Sequence, residues 1–70
     1  MGILSMNNRM KAVLLEGVDA IADEGGGWAP IRYCPGGTDF IWDSVEAGML
    51  EEDGMYVRLT PKARKFIAKN

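Results

Sequence analysis

The feature that most constrains the fold is Asp53-Gly54, which lies between two strand-like runs at residues 49–52 and 55–60. An Asp-Gly pair between two such runs is a strong short-range signal for a β-hairpin. We therefore predict two antiparallel strands that turn at Asp53-Gly54, with a positive φ angle at Gly54. In the second run, the residues that we expect to face the core are Met55, Val57 and Leu59.

A helix is predicted on each side of this hairpin. The segment before it, residues 39–47, is amphipathic, and Thr38 or Asp39 would cap its start. After the hairpin, Thr60-Pro61 offers an N-cap followed by proline at the first helical position, so a basic helix should begin there. The expected inner faces are Phe40, Ile41, Ser44, Val45 and Gly48 on the first helix, and Ala63, Phe66 and Ile67 on the last.

A longer helix is predicted at residues 7–23. Gly25-Gly26-Gly27 ends it, and its candidate N-caps are Ser5, Asn7 and Asn8. Its apolar residues recur every three or four positions, which indicates one buried stripe. That stripe consists of Met10, Val13, Leu14, Gly17, Val18, Ile21 and Ala22.

A short strand follows at residues 28–33, and Pro30 confines it to a sheet edge. We interpret Trp28 and Tyr33 as core or rim residues that close the first helix over the sheet. Residues 34–37 then form a turn. The predicted class is α+β, in a single domain that spans residues 1–70.

The order of helix, hairpin and helix resembles the second half of a winged-helix domain. In that family the recognition helix closes on a glycine followed by two hydrophobic residues, and an L-T-x-K-G-R run starts the last helix. The corresponding residues here are Ala47-Gly48-Met49-Leu50 and Leu59-Thr60-Pro61-Lys62-Ala63-Arg64. The resemblance implies a compact domain with a long N-terminal helix, a short strand paired with a hairpin wing, a short helix and a C-terminal helix.

The chain departs from the family pattern after the first strand. A winged-helix domain has a whole helix there, whereas this chain leaves about four residues, all poor helix formers. Either that helix is missing or the resemblance covers only about the last 35 residues, and a different small α+β topology is the alternative.

Composition argues against several classes of function. The chain has one cysteine, Cys34, and no histidine, so we expect no intramolecular disulfide, no metal or other cofactor and no enzyme activity. Cys34 is interpreted as a partly buried structural thiol. No apolar run approaches the roughly 20 residues that span a bilayer, and the start lacks the order of a signal peptide. We expect a cytoplasmic protein without a membrane partner.

The helix at residues 39–47 carries the candidate interaction site. Its outward positions hold three carboxylates and no basic residue, and an exposed aromatic residue among charges is typical of protein-binding hot spots. A plain solvated helix face is the alternative. Carboxylates would repel DNA phosphates, which argues against base readout by this helix. The candidate residues for binding another protein, or a second copy of the chain, are Asp39, Trp42, Asp43 and Glu46.

Residues 55–70 have the opposite charge, since they contain five of the eight basic residues and no acid. If the chain instead binds nucleic acid as a dimeric winged-helix transcriptional regulator, its wing and last helix would contact phosphates. The residues for that alternative are Arg58, Lys62, Arg64, Lys65 and Lys69.

The net charge of −2 favours the protein-binding hypothesis. We expect a non-catalytic regulatory protein that binds another protein through the acidic, Trp-bearing face. Inhibitors of nucleic-acid-binding enzymes encoded by phages or mobile elements use acidic faces in this manner, although no motif assigns the chain to them.

Overall fold

A computed structural model describes residues 6–70, so Met1–Ser5, including the cap candidate Ser5, lie outside the described residues. The class is α+β, as predicted. No helix in the described part is long and apolar enough to cross a membrane. The elements in chain order are α1 (Asn8–Glu24), β1 (Ala29–Pro30), a 3₁₀ turn (Ile31–Tyr33), α2 (Gly37–Glu46), β2 (Leu50–Asp53), β3 (Tyr56–Leu59) and α3 (Pro61–Lys69).

Helix α1 packs over the sheet with one face. It begins where predicted, because Oδ1 of Asn7 accepts a hydrogen bond from the Met10 amide at 2.8 Å. It ends at the glycines that follow Glu24. The residues that it buries are Ala12, Leu15, Val18 and Ala22.

The predicted apolar stripe on α1 is wrong in its N-terminal half. Met10 and Val13 are 53% and 57% exposed, whereas Leu15, which the prediction omitted, is 1% exposed. Apolar residues cover more than half of the helix circumference, so their spacing fits two adjacent faces. The sheet takes the face that contains Leu15. The face that contains Gly17 lies against Pro35, whose Cγ atom would be 2.9 Å from a Cβ atom added at Gly17.

The sheet has the order β1-β3-β2, and both pairs are antiparallel. The hairpin turns at Gly54-Met55, one residue beyond the predicted position, between the paired strand ends Asp53 and Tyr56. Gly54 has the predicted positive φ angle, at 64°. Met55 was expected to face the core but is 66% exposed, because it lies in the turn and not in the strand.

The first strand is shorter than predicted, since β1 contains only Ala29 and Pro30. The Ile31 amide still donates to the Met55 carbonyl at 2.9 Å, but the partner strand ends there at the hairpin turn. The chain therefore leaves the sheet and forms the 3₁₀ turn. β1 pairs with β3, as expected for the short first strand, and the 3₁₀ turn lies between β1 and α2.

Helix α2 begins two residues before its predicted start, and neither Thr38 nor Asp39 is its N-cap. Gly36 occupies the N-cap position with a φ angle of 98°. A Cβ atom at this residue would lie 2.6 Å from Cδ2 of Phe40, so the turn requires glycine for both its backbone conformation and the close ring.

Helix α3 begins at the predicted cap. Oγ1 of Thr60 accepts a hydrogen bond from the Ala63 amide at 3.3 Å, and Pro61 occupies the first turn. The same hydroxyl donates to the Gly48 carbonyl at 2.5 Å, which ties the start of α3 to the segment after α2.

One hydrophobic core joins these elements. Phe66 and Ile67 of α3, which we expected on its inner face, are partly buried at the edge of this core. The buried members are Leu15, Val18, Ala22, Ala29, Phe40, Ile41, Leu50, Val57, Leu59 and Ala63.

We expect Leu15→Ala to lower the free energy of unfolding by about 2–5 kcal/mol, because it leaves a cavity under α1. Val13→Ala, on the exposed face, should change it by no more than about 0.5 kcal/mol. Urea unfolding followed by circular dichroism measures both values. A larger loss in Val13→Ala than in Leu15→Ala would mean that the predicted stripe, and not the observed face, packs on the sheet.

Candidate functional site

The four residues predicted as a protein-binding site lie together on the outer side of α2. We call them the α2 face, and all four are exposed: Asp39, Trp42, Asp43 and Glu46. The opposite side of the helix is held in the core by Phe40 and Ile41, which fixes the direction of this face. Trp42 is 43% exposed, so a large part of its apolar side chain contacts solvent.

The carboxylates of the α2 face lack cationic partners within the described residues. The two ion pairs found there join Arg58 to Glu51 at 2.9 Å and Arg64 to Asp19 at 3.1 Å. Asp39 lies in the first helical turn, where the helix dipole stabilises a negative charge. Asp43 and Glu46 lie further along, and no basic residue is present in the last turn. The face is therefore a surface of negative charge beside an exposed indole.

A groove adjoins this face, between α1, α2 and α3. Its volume is about 200 Å³. Asp43 is shared by the groove and the α2 face, whereas Lys11 lies on the α1 wall. The remaining lining is mostly apolar and consists of Leu15, Phe40, Ser44, Ala47, Met49 and Phe66.

The sequence did not reveal this groove, because its walls come from distant parts of the chain. Lys11, Met49 and Phe66 are brought together only when the three helices pack. A partial signal was present, since Phe66 was expected on the inner face of the last helix and Met49 was expected in a strand of the hairpin. Nothing in their spacing showed that the packing would leave a gap between them.

Three of the five basic residues predicted for nucleic-acid contact already bind other groups of the chain. The Arg58 guanidinium lies 4.2 Å above the Trp28 ring and pairs with Glu51. The Lys62 ammonium donates to the Ala47 carbonyl at 2.7 Å. Arg64 donates two hydrogen bonds to Asp19, and this contact raises the pKa of Arg64. The two that have no partner among the described residues are Lys65 and Lys69.

Two arginines lie against aromatic rings, Arg32 in the 3₁₀ turn and Arg58 on β3, and the sequence did not show these contacts. Tyr33 is 63% exposed and not a core or rim residue, because the 3₁₀ turn carries it away from the sheet. The Arg32 guanidinium lies 4.9 Å from the centre of its ring. Trp28 is half-buried under Arg58, in agreement with a position at the rim.

Cys34 is partly buried, and its thiol donates to the Pro30 carbonyl at 3.3 Å. Burial raises the pKa of the thiol, so the nucleophilic thiolate is disfavoured. Within residues 6–70, no group of three or more His, Cys, Asp and Glu side chains is placed to hold a metal ion.

Comparison of the chain with protein-family models, with curated proteins and with solved structures found no significant match. The winged-helix resemblance therefore stays a prediction from the motif residues around Gly48 and Thr60.

We expect Cys34 to react slowly with an aromatic disulfide reagent at neutral pH in the native protein. Urea-unfolded protein at the same pH should react faster, because the thiol is then solvated and its pKa returns to the ordinary value. The rate of absorbance change, measured against pH, should have a higher midpoint for native than for unfolded protein. A native thiol that reacts faster than the unfolded one would indicate an activated nucleophile.

Proposed function

We propose that this protein is a non-catalytic regulatory protein that binds another protein through the α2 face. The observation that carries the proposal is the exposed Trp42 beside three carboxylates that have no cationic partner among the described residues. A half-exposed tryptophan supplies a large apolar contact area, and tryptophan is enriched among residues that dominate binding energy.

The charges of the α2 face favour a basic partner. Because Asp39, Asp43 and Glu46 are not neutralised by a neighbour, their field extends into solvent and can steer a positively charged surface. A partner that normally binds nucleic acid has such a surface, so inhibition of a nucleic-acid-binding protein is one role that this site would suit. The single cysteine and the fold without a disulfide suit a cytoplasmic location.

DNA binding is the second candidate, and the fold provides one observation in its favour. The exposed hairpin and the strand order β1-β3-β2 agree with the arrangement of a wing. The charges favour it less, since Arg58 and Arg64 each pair with a carboxylate. A phosphate would have to displace these partners, and the acidic α2 would then approach the same duplex.

Trp42→Ala should weaken partner binding by about 2 kcal/mol or more while leaving the thermal midpoint nearly unchanged. The matched control is Tyr33→Ala, which removes another exposed aromatic ring from a different surface. The partner is captured from a lysate of the source cells, purified, and measured against each variant by titration calorimetry. If the thermal midpoint of Trp42→Ala collapses and affinity does not change, Trp42 belongs to the core and the interface lies elsewhere.

Two charge-reversal variants distinguish the effect of the α2 carboxylates from the effect of the net charge of the chain. The test variant changes Asp39, Asp43 and Glu46 to lysine, and the control changes three exposed acids of α1, Glu16, Asp23 and Glu24, to lysine. Both variants change the net charge by the same amount. If the binding site lies on α2, the α2 variant should lose binding and the α1 variant should retain it.

Duplex DNA binding should be weak and strongly reduced by salt. With only Lys65 and Lys69 available, the slope of log K against log salt should be near −1.8, whereas engagement of all five basic residues would give about −4.5. Fluorescence anisotropy from about 50 to 200 mM salt measures this slope. Sequence-specific binding that persists at the higher salt, and is lost in Lys65→Glu/Lys69→Glu, would favour the regulator instead.

A further inference from the structure

The groove between the three helices contains a polar group that the proposed function does not use, the hydroxyl of Ser44. Ser44 lies on the inner side of α2 and is only 7% exposed. Its backbone carbonyl accepts a hydrogen bond from the Met49 amide at 2.8 Å. Its hydroxyl forms no hydrogen bond with any described residue, including the Phe40 carbonyl, which a serine at this position of a helix can reach.

The Ser44 hydroxyl opens into the groove. In the described part of the chain, no side-chain oxygen is both sealed from solvent and without a hydrogen-bond partner. The Ser44 oxygen has no partner, so solvent must reach it, and the groove is the space that this residue lines. A polar group in a narrow apolar space is unfavourable unless a partner for its hydrogen bond enters that space.

The rest of the groove is mostly apolar and has room for one aromatic ring. Leu15 and Phe40 are almost fully buried, and Met49 and Phe66 are partly buried beside them. The groove volume is about 200 Å³, which exceeds the about 150 Å³ of an apolar cavity that binds benzene. Aromatic rings and a methionine sulfur both make favourable contacts with an aromatic ligand.

The two charged residues of the groove have opposite signs. Lys11 lies on the α1 wall and Asp43 on the α2 wall, and neither belongs to an ion pair among the described residues. A ligand with a net charge would be attracted by one of them and repelled by the other. Asp43 is exposed and Lys11 is half-buried, and exposed charges contribute little to affinity. The apolar lining and the hydroxyl therefore favour an uncharged ligand.

We infer that this groove binds a small uncharged molecule that consists of one aromatic ring and one hydrogen-bonding group. The ring lies against Leu15, Phe40 and Phe66. The polar group, a hydroxyl or a ring N–H, forms the hydrogen bond that the Ser44 hydroxyl lacks within the chain. The inference goes beyond the proposed function and does not depend on it, because Trp42 does not line the groove.

Phenol and toluene are matched probes of this site, since a methyl group in toluene replaces the hydroxyl of phenol. Each is titrated into the ¹⁵N-labelled full chain up to about 10 mM, a range that detects millimolar dissociation constants. Phenol should shift the amide resonances of groove residues on all three helices, such as Lys11, Ser44 and Phe66. Trp42→Ala should bind phenol with unchanged affinity.

Ser44→Ala tests the hydrogen bond. The variant should bind phenol about tenfold more weakly and toluene within about twofold of the unchanged chain, because only phenol loses a hydrogen bond. It should fold, since the hydroxyl forms no bond within the described residues and alanine favours a helix. Equal weakening of both probes would overturn the contact between Ser44 and the ligand.

Ala47→Leu locates the ligand in the groove. The larger side chain fills part of the space and should weaken both probes by about tenfold or more. The control is Ala20→Leu, at an exposed position of α1 outside the groove, which should change neither affinity. Circular dichroism confirms that each variant is folded. Equal effects of the two leucine variants would overturn the location.

Benzoate and benzylammonium test the charge of the ligand. Each should bind more weakly than phenol, because each is repelled by one of the two charged walls. Tighter binding of either ion than of phenol would overturn the assignment of an uncharged ligand. Amide resonances that do not move with phenol, or that move only outside the groove, would overturn the inference as a whole.

Discussion

The packing of α1 on β3 is the contact on which the other features depend. In the described part of the chain, β3 alone is paired along both edges, and its Val57 is fully buried. Leu15 and Val18 of α1 belong to the same core cluster as Val57. Once this face of α1 is buried, the remaining faces have fixed directions. Gly17 faces the turn at Pro35, and Met10 and Val13 are left in solvent.

A second constraint is the junction at Thr60, whose side chain joins the start of α3 to the segment that follows α2. Its hydroxyl caps α3 and also contacts the carbonyls of Gly48 and Met49, which follow α2. Lys62 adds a hydrogen bond from α3 to the Ala47 carbonyl. These bonds hold the start of α3 against the end of α2, while α1 packs on α3 further along. The groove is the space that three helices fixed in this way do not fill.

The sequence predicted those parts of the fold that are determined by residues close together in the chain. The cap at Thr60, the glycine turn at Gly54 and the outward direction of Trp42 each follow from a residue and its nearest neighbours in the chain. The wrong predictions concern positions whose structure depends on contacts with segments that are distant in the chain. The end of β1 depends on where β3 turns, and the buried face of α1 depends on which of two apolar faces meets the sheet. The groove needs the packing of all three helices, so no local pattern could have shown it.

The fold pairs two of its arginines with acids but leaves the acids of α2 without ion pairs among the described residues. This difference bears most directly on function. Arg58 is placed over Trp28 and against Glu51, and Arg64 against Asp19, so the basic half of the chain is partly neutralised by the chain itself. These exposed pairs contribute little to stability, yet each lowers the positive potential that a phosphate would meet. The acids of α2 form no ion pair among the described residues, so no direct contact with a cation lowers their negative potential. This difference between the two arginines and the acids of α2 is the physical reason why we propose a basic protein surface, and not a nucleic acid, as the partner.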